Sequence, residues 1–377
     1  MPRTIIDVHI IQTVPPSNIN RDDTGSPKTA VYGGTRRARV SSQAWKRATR
    51  DAFDELLDRE HLGVRTKRVV ELIGDEITRQ APDLADRAPE LATAVLTSAG
   101  FKLKDARNKK DAPQESEFLL FLSNHQVTNL AALAVDAARD AGDGKLTIPK
   151  NEAKTRADSD HSVDVSLFGR MVANLPDLNV EAAVQVAHAL SVHAVANEYD
   201  YFTAVDDHKR ADEEEDAGAG MIGTVEFNSS TLYRYAALDV DQLFGNLGDT
   251  EVTRRAVEAF LRAFVSSMPS GKQNTFANRT LPDAVLVVAR ETQPVNLVGA
   301  FEDTVREGEK GGRIAASIYR LATHATELHD AFDETPVQAW AFGAGERVEP
   351  LTELGSRSTF DSTVRAVGAL VAERLES

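Results

Sequence analysis

Segments of strand periodicity alternate along this chain with segments of helical periodicity, which restricts it to a mixed α/β fold. Near the N-terminus Ile6, Val8 and Ile10 alternate with Asp7 and His9, predicting a half-buried strand over Arg3 to Val14. Val163, Val165 and Leu167 repeat that pattern and predict a second strand ending at Gly169. Val225, Phe227, Tyr233 and Tyr235 resume strand character, and Val285 to Val288 is a continuous apolar run suited to a buried strand. Two helical stripes fall between: Val180, Ala183, Val184, Ala187, Leu190 and Ala194, then Val257, Phe260, Leu261, Phe264, Val265 and Met268. Residues from about Leu62 to Gly142 are rich in Ala, Leu and charge and read as a helical insertion. The tail from Gly299 reads as mostly helical, with Ile314, Ile318 and Leu321 at helical spacing and a last helix from about Asp361. At 377 residues the chain has room for two or three lobes.

Gly33 to Arg50 stands out within this pattern. It carries Arg36, Arg37, Arg39, Lys46, Arg47 and Arg50 and no acid, inside a chain of formal net charge -15. On a helix, Trp45, Ala48, Ala52, Phe53 and Leu56 share one stripe, and Gln43, Lys46, Arg47 and Arg50 share the opposite face. Ser41 or Ser42 suits the N-cap, which would aim free backbone N–H groups at the same partner. Such a face suits phosphates, and an ordinary solvated basic face is the competing reading. Lys28 lies just ahead of the Gly-Gly turn, and Lys272 with Gln273 follows the helix that stops at Pro269. The acidic balance elsewhere argues against nucleic acid coating the whole surface and leaves room for a narrow basic groove.

Hydrophobic residues make up 42% and charged residues 27%, an ordinary soluble balance. No run of apolar residues is long enough to span a bilayer and MPRTIIDVHI lacks a signal-peptide pattern, so a cytoplasmic protein with no membrane partner is expected. The absence of cysteine excludes disulfides and thiolate metal sites. No nucleophile elbow, Walker loop, dinucleotide fingerprint or HExxH pattern occurs, so neither cofactor nor metal is expected. His188 and His193, five apart on the predicted helix, diverge around its axis. Asp22-Asp23 reads as loop hydrogen bonding or a pair with Arg21. Asp206, Asp207 and His208 are the strongest candidates for metal-assisted phosphodiester cleavage, but adjacent carboxylates ahead of an acidic run, Asp212 to Asp216, read better as solvated charges.

Several ordered blocks resemble CasC, the repeated backbone (Cas-seven family) subunit of the type I-E CRISPR complex Cascade. They are Asn20-Arg21-Asp22-Asp23, Gly33-Gly34 with Arg36-Arg37, Arg39-Val40-Ser41-Ser42-Gln43, Lys46-Arg47-Ala48, Gly169-Arg170-Met171, Phe202-Thr203-Ala204-Val205-Asp206-Asp207, Tyr233-Arg234-Tyr235-Ala236 and Gly271-Lys272-Gln273. The likeness runs from about Ile5 to Ala284 and is weak between Leu62 and Asp160 and beyond Gly299.

The resemblance implies an α/β (α+β) fold: a modified RRM-like (ferredoxin-like) palm from 1–61, 162–197 and 224–299, helical fingers at 62–161, a protruding thumb loop at 198–223, and a C-terminal helical segment, 300–377, packing on the palm. It implies a non-catalytic subunit that polymerises along the CRISPR RNA spacer and holds the guide for pairing with invading DNA. Its partners would be CRISPR RNA, target DNA through guide pairing, further copies of itself, and the other Cascade subunits: the large subunit, small subunits, guide 5'-end subunit and guide-processing endoribonuclease. Lys28, Ser41, Gln43, Lys46 and Arg50 would hold backbone phosphates, joined by Arg36, Arg37, Arg47, Lys272 and Gln273. Met171, Phe202 and Thr203 would wedge at a displaced nucleotide, where core packing is the alternative for Met171 and Phe202. Lys102, Lys104, Arg107, Lys109 and Lys110 would steer target DNA or form a solvated loop. The competing functions are a loop-aspartate ribonuclease of a related CRISPR effector and an RNA-independent structural assembly subunit.

Overall fold

A computed structural model describes residues 3–106, 112–142, 144–172, 174–204, 221–308 and 311–376. The chain forms two compact units. One comprises Met1–Asp51, Val186–Ala237 and Phe260–Val367, and the other Ala52–Gln185, Leu238–Ala259 and Gly368–Ser377.

The first unit is built on a mixed sheet of β1 (Ile5–Ser17), β2 (Thr29–Tyr32), β3 (Thr35–Val40), β4 (Ala189–Ser191), β5 (Glu198–Ala204), β6 (Met221–Asp239), β7 (Ala284–Arg290), β8 (Gln338–Gly343) and β9 (Ser356–Arg357). The order is β9-β8-β7-β1-β6-β4-β3-β2, with β5 folded back on β6. β7 runs antiparallel to β1 and β8, whereas β8 and β9 are parallel. The apolar run of β7 is buried along its whole length, as a central strand requires.

β1 corrects the half-buried expectation, because Asp7 and His9 are as buried as Ile6, Val8 and Ile10. A strand inside a sheet covered on both faces has no wet side. On one face, Ile5, Ile11, Tyr233, Tyr235, Leu286 and Val288 share a core with Ile318 and Leu321 of the helix Arg313–Phe332. On the other, Arg234 packs between Trp45 and Phe264.

Two further expectations are overturned. Val163–Phe168 is a short helix rather than a strand. Both phases of its alternation are buried, and Asp164 is satisfied by accepting the N–H of Gly63 at 3.0 Å. The stripe from Val180 to Ala194 is not helical and contains β4, where Leu190 pairs with Arg39 on one side and Tyr233 on the other. Partners distant in sequence override local periodicity there. The tail, read as mostly helical, also supplies β8 and β9 to the sheet.

In the second unit, the segment read as a helical insertion holds four helices beside two short antiparallel strand pairs, Gly63–Thr66 with Leu120–Ser123 and Leu103–Lys104 with Glu115–Ser116. Helices Val69–Gln80, Ala88–Ser98, Asn124–Ala141 and Lys150–Asp158 enclose a core that includes Ile73, Leu91, Val95, Leu130 and Ala153. Ser123 and Gln126 form a reciprocal capping box at the start of the third of these. No helix among the described residues is long and apolar enough to cross a membrane.

Candidate nucleic-acid interface

The β2–β3 hairpin turns at Gly33 and Gly34, whose φ values are +56° and +69°. A Cβ on Gly33 would lie 2.0 Å from the carbonyl oxygen of Glu302, so the close approach requires glycine there. β3 leads into the helix Ser42–Ala52, whose buried residues are Trp45 and Thr49. Phe53 continues this spacing, whereas Leu56, expected on the stripe, is 39% exposed because the helix gives way to a 3-10 turn after Ala52. Gln43 and Arg47 are exposed and Lys46 and Arg50 half-buried, so the expected basic face exists. Burial lowers the pKa of the Lys46 ammonium, and a partly desolvated cation attracts an anion more strongly than a hydrated one. Arg47 lies 3.6 Å from Asp51 in an exposed pair, an acid just beyond the basic run.

The N–H groups at the start of this helix are not open to a ligand, contrary to expectation. Ser41 is the cap: its hydroxyl oxygen accepts the N–H of Gln43 at 3.3 Å and its carbonyl accepts those of Ala44 and Trp45. The N–H of Ser42 donates to Nδ1 of His188 at 3.0 Å. An anion at this face would therefore be met by side chains, among them the Ser41 hydroxyl, whose oxygen accepts from Gln43 and whose own proton can still be donated.

Two residues that sequence reasoning passed over shape the site. The Asn20 side chain accepts the N–H of Ser41 at 2.8 Å, and its carbonyl accepts that of Lys28 at 2.9 Å. Arg39 N–H in turn donates to the Lys28 carbonyl at 2.9 Å. Asn20, Lys28 and Arg39 line one cleft with Asn228 and Ser230. His188 is held below its ordinary pKa by burial and then by the charges of Arg39 and Lys28. Asn20 stood within a recognisable block, but a contact spanning 146 positions, His188 to Ser42, has no local signal.

Lys272 and Gln273 join the same neighbourhood through backbone packing, since a Cβ on Gly271 would lie 2.4 Å from the Ile19 carbonyl oxygen. Lys272 is half-buried in the left-handed region, at φ +51°. Arg36 is exposed and lines a second cleft with Thr29, Asn197, Tyr199, Asp22 and Glu226. Asp22 makes the expected loop hydrogen bonds, accepting from the N–H groups of Thr24 and Ser26.

Arg37 must be removed from the phosphate set. It is fully buried, and its guanidinium donates to the carbonyls of Tyr32, Ser191, Phe301 and Glu302. Neighbours on a strand point to opposite sides, so Arg36 and Arg37 could not both face solvent across a covered sheet.

In the second unit, Arg170 is buried, donating to Asp158 at 2.8 Å and to the carbonyls of Ala157 and Leu178. The next residue, Met171, is 81% exposed, which excludes core packing within this chain. Phe118 and Leu119 are also exposed and line a cleft with Met171 and Lys102. Lys102 and Lys104 are exposed, and Lys104 stands opposite Glu115. Arg107, Lys109 and Lys110 lie outside the described residues, as do Asp206, Asp207, His208 and the run Asp212 to Asp216. Phe202 and Thr203 belong to the first unit, where the expected thumb loop begins and ends as the β5–β6 hairpin. The Phe202 ring packs over Gly223, and Thr203 pairs with Ile222. Asp58, Glu60 and His61 approach one another within 4.8 Å on an exposed turn, where an acidic cluster alone makes no metal site.

A family model described as CT1975-like protein matches residues 6–366. A chain of a solved "CRISPR RNA-guided surveillance complex, pre-nicking" is 37% identical, with 97% of this chain and 100% of that chain covered and a TM-score of 0.84. A chain of a second "CRISPR RNA-guided surveillance complex" is 33% identical over 96% and 99%, with a TM-score of 0.74. Comparison with curated proteins gives no match. Identity and shape agree over nearly the full length, and the chain belongs to the CT1975-like family, of Cas7 type.

Proposed function

We propose that this chain is a non-catalytic, RNA-binding backbone subunit of a type I-E CRISPR surveillance complex, cytoplasmic, with copies polymerised along the guide. The observation that carries the reading is the gathering of Lys28, Ser41, Gln43 and Lys46 around one helix start in a chain of net charge -15. Arg36, Arg47, Arg50, Lys272 and Gln273 extend that set. Side-chain cations and hydroxyls suit sugar-phosphate without reading bases, which leaves sequence recognition to pairing between guide and target DNA. In this reading 1–61, 162–197 and 224–299 form the palm, 62–161 the fingers, 198–223 the thumb, and 300–377 packs on the palm.

Self-assembly has a physical rationale in unlike patches. Tyr199 and Tyr201 are 67% and 64% exposed on the hairpin, and Phe118, Leu119 and Met171 are exposed in the second unit. When two different patches on identical chains meet, the contact is head-to-tail and propagates as an open filament. Met171, Phe202 and Thr203 are the proposed wedge at a displaced nucleotide, and Lys102 and Lys104 the described part of a DNA-steering set. The remaining Cascade subunits are its proposed protein partners.

The test is native mass spectrometry of the chain co-expressed with CRISPR RNA and companion subunits, comparing wild type with Lys46→Ala/Arg50→Ala. Multiple copies on RNA in the wild type, depleted in the variant, are expected. Full assembly without RNA in both samples would instead make the basic helix an interface for acidic protein.

A further inference from the structure

Arg234 lies in β6 between Tyr233 and Tyr235, and so points to the opposite face of the sheet from both. It is 1% exposed. Nη1 donates to Oε1 of Gln12 at 2.5 Å, and Nη2 donates to the Phe264 carbonyl. The guanidinium carbon stands 3.7 Å from the Trp45 ring centroid and 4.7 Å from that of Phe264. Nε makes no hydrogen bond and no carboxylate pairs with the group among the described residues. Burial alone lowers its pKa, to about 9, which leaves it charged at neutral pH.

Buried charges are ordinarily paired, because an isolated one has lost its hydration without compensation. Arg290 in the same unit obeys the rule, with Nε 2.8 Å from the Asp7 carboxylate. Arg234 breaks it, and its location is informative. Trp45 is on the buried side of the Ser42–Ala52 helix, whose outer side carries Gln43, Lys46 and Arg47. The cation stands 3.7 Å beyond the Trp45 ring, so one helix diameter of ~11 Å places it ~15 Å behind anything bound on that outer side. Its field reaches there through protein, where salt screens it little.

We propose that Arg234 is a positioning residue of the phosphate site, an uncompensated buried cation whose charge is matched by the RNA backbone on the outer side of the basic helix. The inference rests on the RNA-binding reading above and deepens it. Arg234 touches no phosphate; it acts through Trp45, which it fixes in place, and through its charge, which favours an anion beyond the helix. Bound phosphates in turn supply the counter-charge that the interior lacks.

The experiment is fluorescence anisotropy of the full chain with a labelled single-stranded RNA oligonucleotide across a salt series. Wild type is compared with Arg234→Met and Gln12→Glu. The first substitution removes the charge. The second keeps Arg234 and its stack on Trp45 but places a carboxylate against the guanidinium, losing the amide donation to the Thr280 carbonyl. A unit charge ~15 Å away at an effective dielectric of ~20 corresponds to about sixfold in affinity. Both variants should therefore bind about sixfold more weakly, with an unchanged slope of log affinity against log salt, because no phosphate contact is lost. Weakening in Arg234→Met with wild-type affinity in Gln12→Glu would reduce Arg234 to a prop for Trp45 and overturn the proposal, as would wild-type affinity in both. Circular dichroism reports folding separately, and Gln12→Glu decides alone if Arg234→Met does not fold. A wild-type chain that binds no RNA even at low salt would remove the functional reading, and this inference with it.

Discussion

The two faces of the central sheet treat buried charge differently. On the face under the Arg313–Phe332 helix, Asp7 accepts from Tyr235 at 2.7 Å, from Arg290 at 2.8 Å and from the Val295 N–H at 3.1 Å. Arg290 also contacts His329 at 3.0 Å, and His9 shares a 2.9 Å hydrogen bond with the Tyr233 hydroxyl. Asp7 and Arg290 there face each other, and Arg290 also lies 3.7 Å from Glu334. On the face under the basic helix, Arg234 has an amide, a carbonyl and two aromatic rings. Pairing closes the first network on itself, so its role is to hold the sheet together. The second is electrostatically incomplete until something anionic arrives. Burial alone thus does not separate structural from functional cations: Arg290 faces Asp7, and Arg37 is held by four carbonyls with the charge of Asp303 acting on it, whereas no carboxylate acts on Arg234 among the described residues.

The largest effect that would test this contrast is on stability. Arg290→Met leaves Asp7 buried without its cation, and breaking such a pair costs about 3–5 kcal/mol. Arg234→Met orphans no charge and should cost less by the same urea titration. Equal losses would erase the distinction between the faces.

Acid provides the next test. His9 is fully buried, and burial first, then Arg290 and His329, lower its pKa from 6.5 to about 3. Its Nε2 makes no hydrogen bond among the described residues, so a proton placed there has no acceptor. Between those values the unfolded chain binds the proton and the folded chain does not. The contribution is therefore intact above pH 6.5 and is lost as pH falls toward 3, by up to about 1.4 kcal/mol per pH unit. Asp7, whose pKa is raised chiefly by burial, has the opposite sign. The clean measure is the difference between wild type and His9→Gln in urea unfolding at pH 7 and pH 5. Identical pH dependence in both would show that His9 does not carry the sensitivity.

The same contrast separates what was legible in the sequence from what was not. Lys46, Arg47 and Trp45 could be assigned to opposite sides of a helix because helical spacing is local information. Arg36 and Arg37 could have been separated too, since adjacent strand residues diverge, but only by reading the segment as a hairpin, which the Gly-Gly turn permits. Tyr199, Tyr201 and Thr203 alternate as a strand does, and that signal was masked by the long acidic connection that follows. Three features had no local signature: the His188 contact to Ser42, the burial of Asp7 and His9, and the stacking of Arg234 on Trp45. Each depends on which distant element covers a face, and a single sequence does not encode that locally.

The smallest effects concern the exposed cations of the helix. Lys46→Ala should weaken RNA binding several-fold for every sequence alike and reduce the salt slope by about 0.7, the value for one single-strand phosphate contact. Asp51→Asn should act in the opposite direction. It releases Arg47 from an exposed pair in which the two side chains are 79% and 58% accessible, worth at most about 1 kcal/mol. Affinity should rise about twofold with no measurable change in unfolding midpoint, because nothing buried is disturbed. Anisotropy titrations on both variants separate a direct phosphate ligand from a neighbouring acid that competes with it. A loss of affinity in Asp51→Asn would place the bound backbone away from Arg47, and the outer side of the helix would then act through Gln43, Lys46 and Arg50.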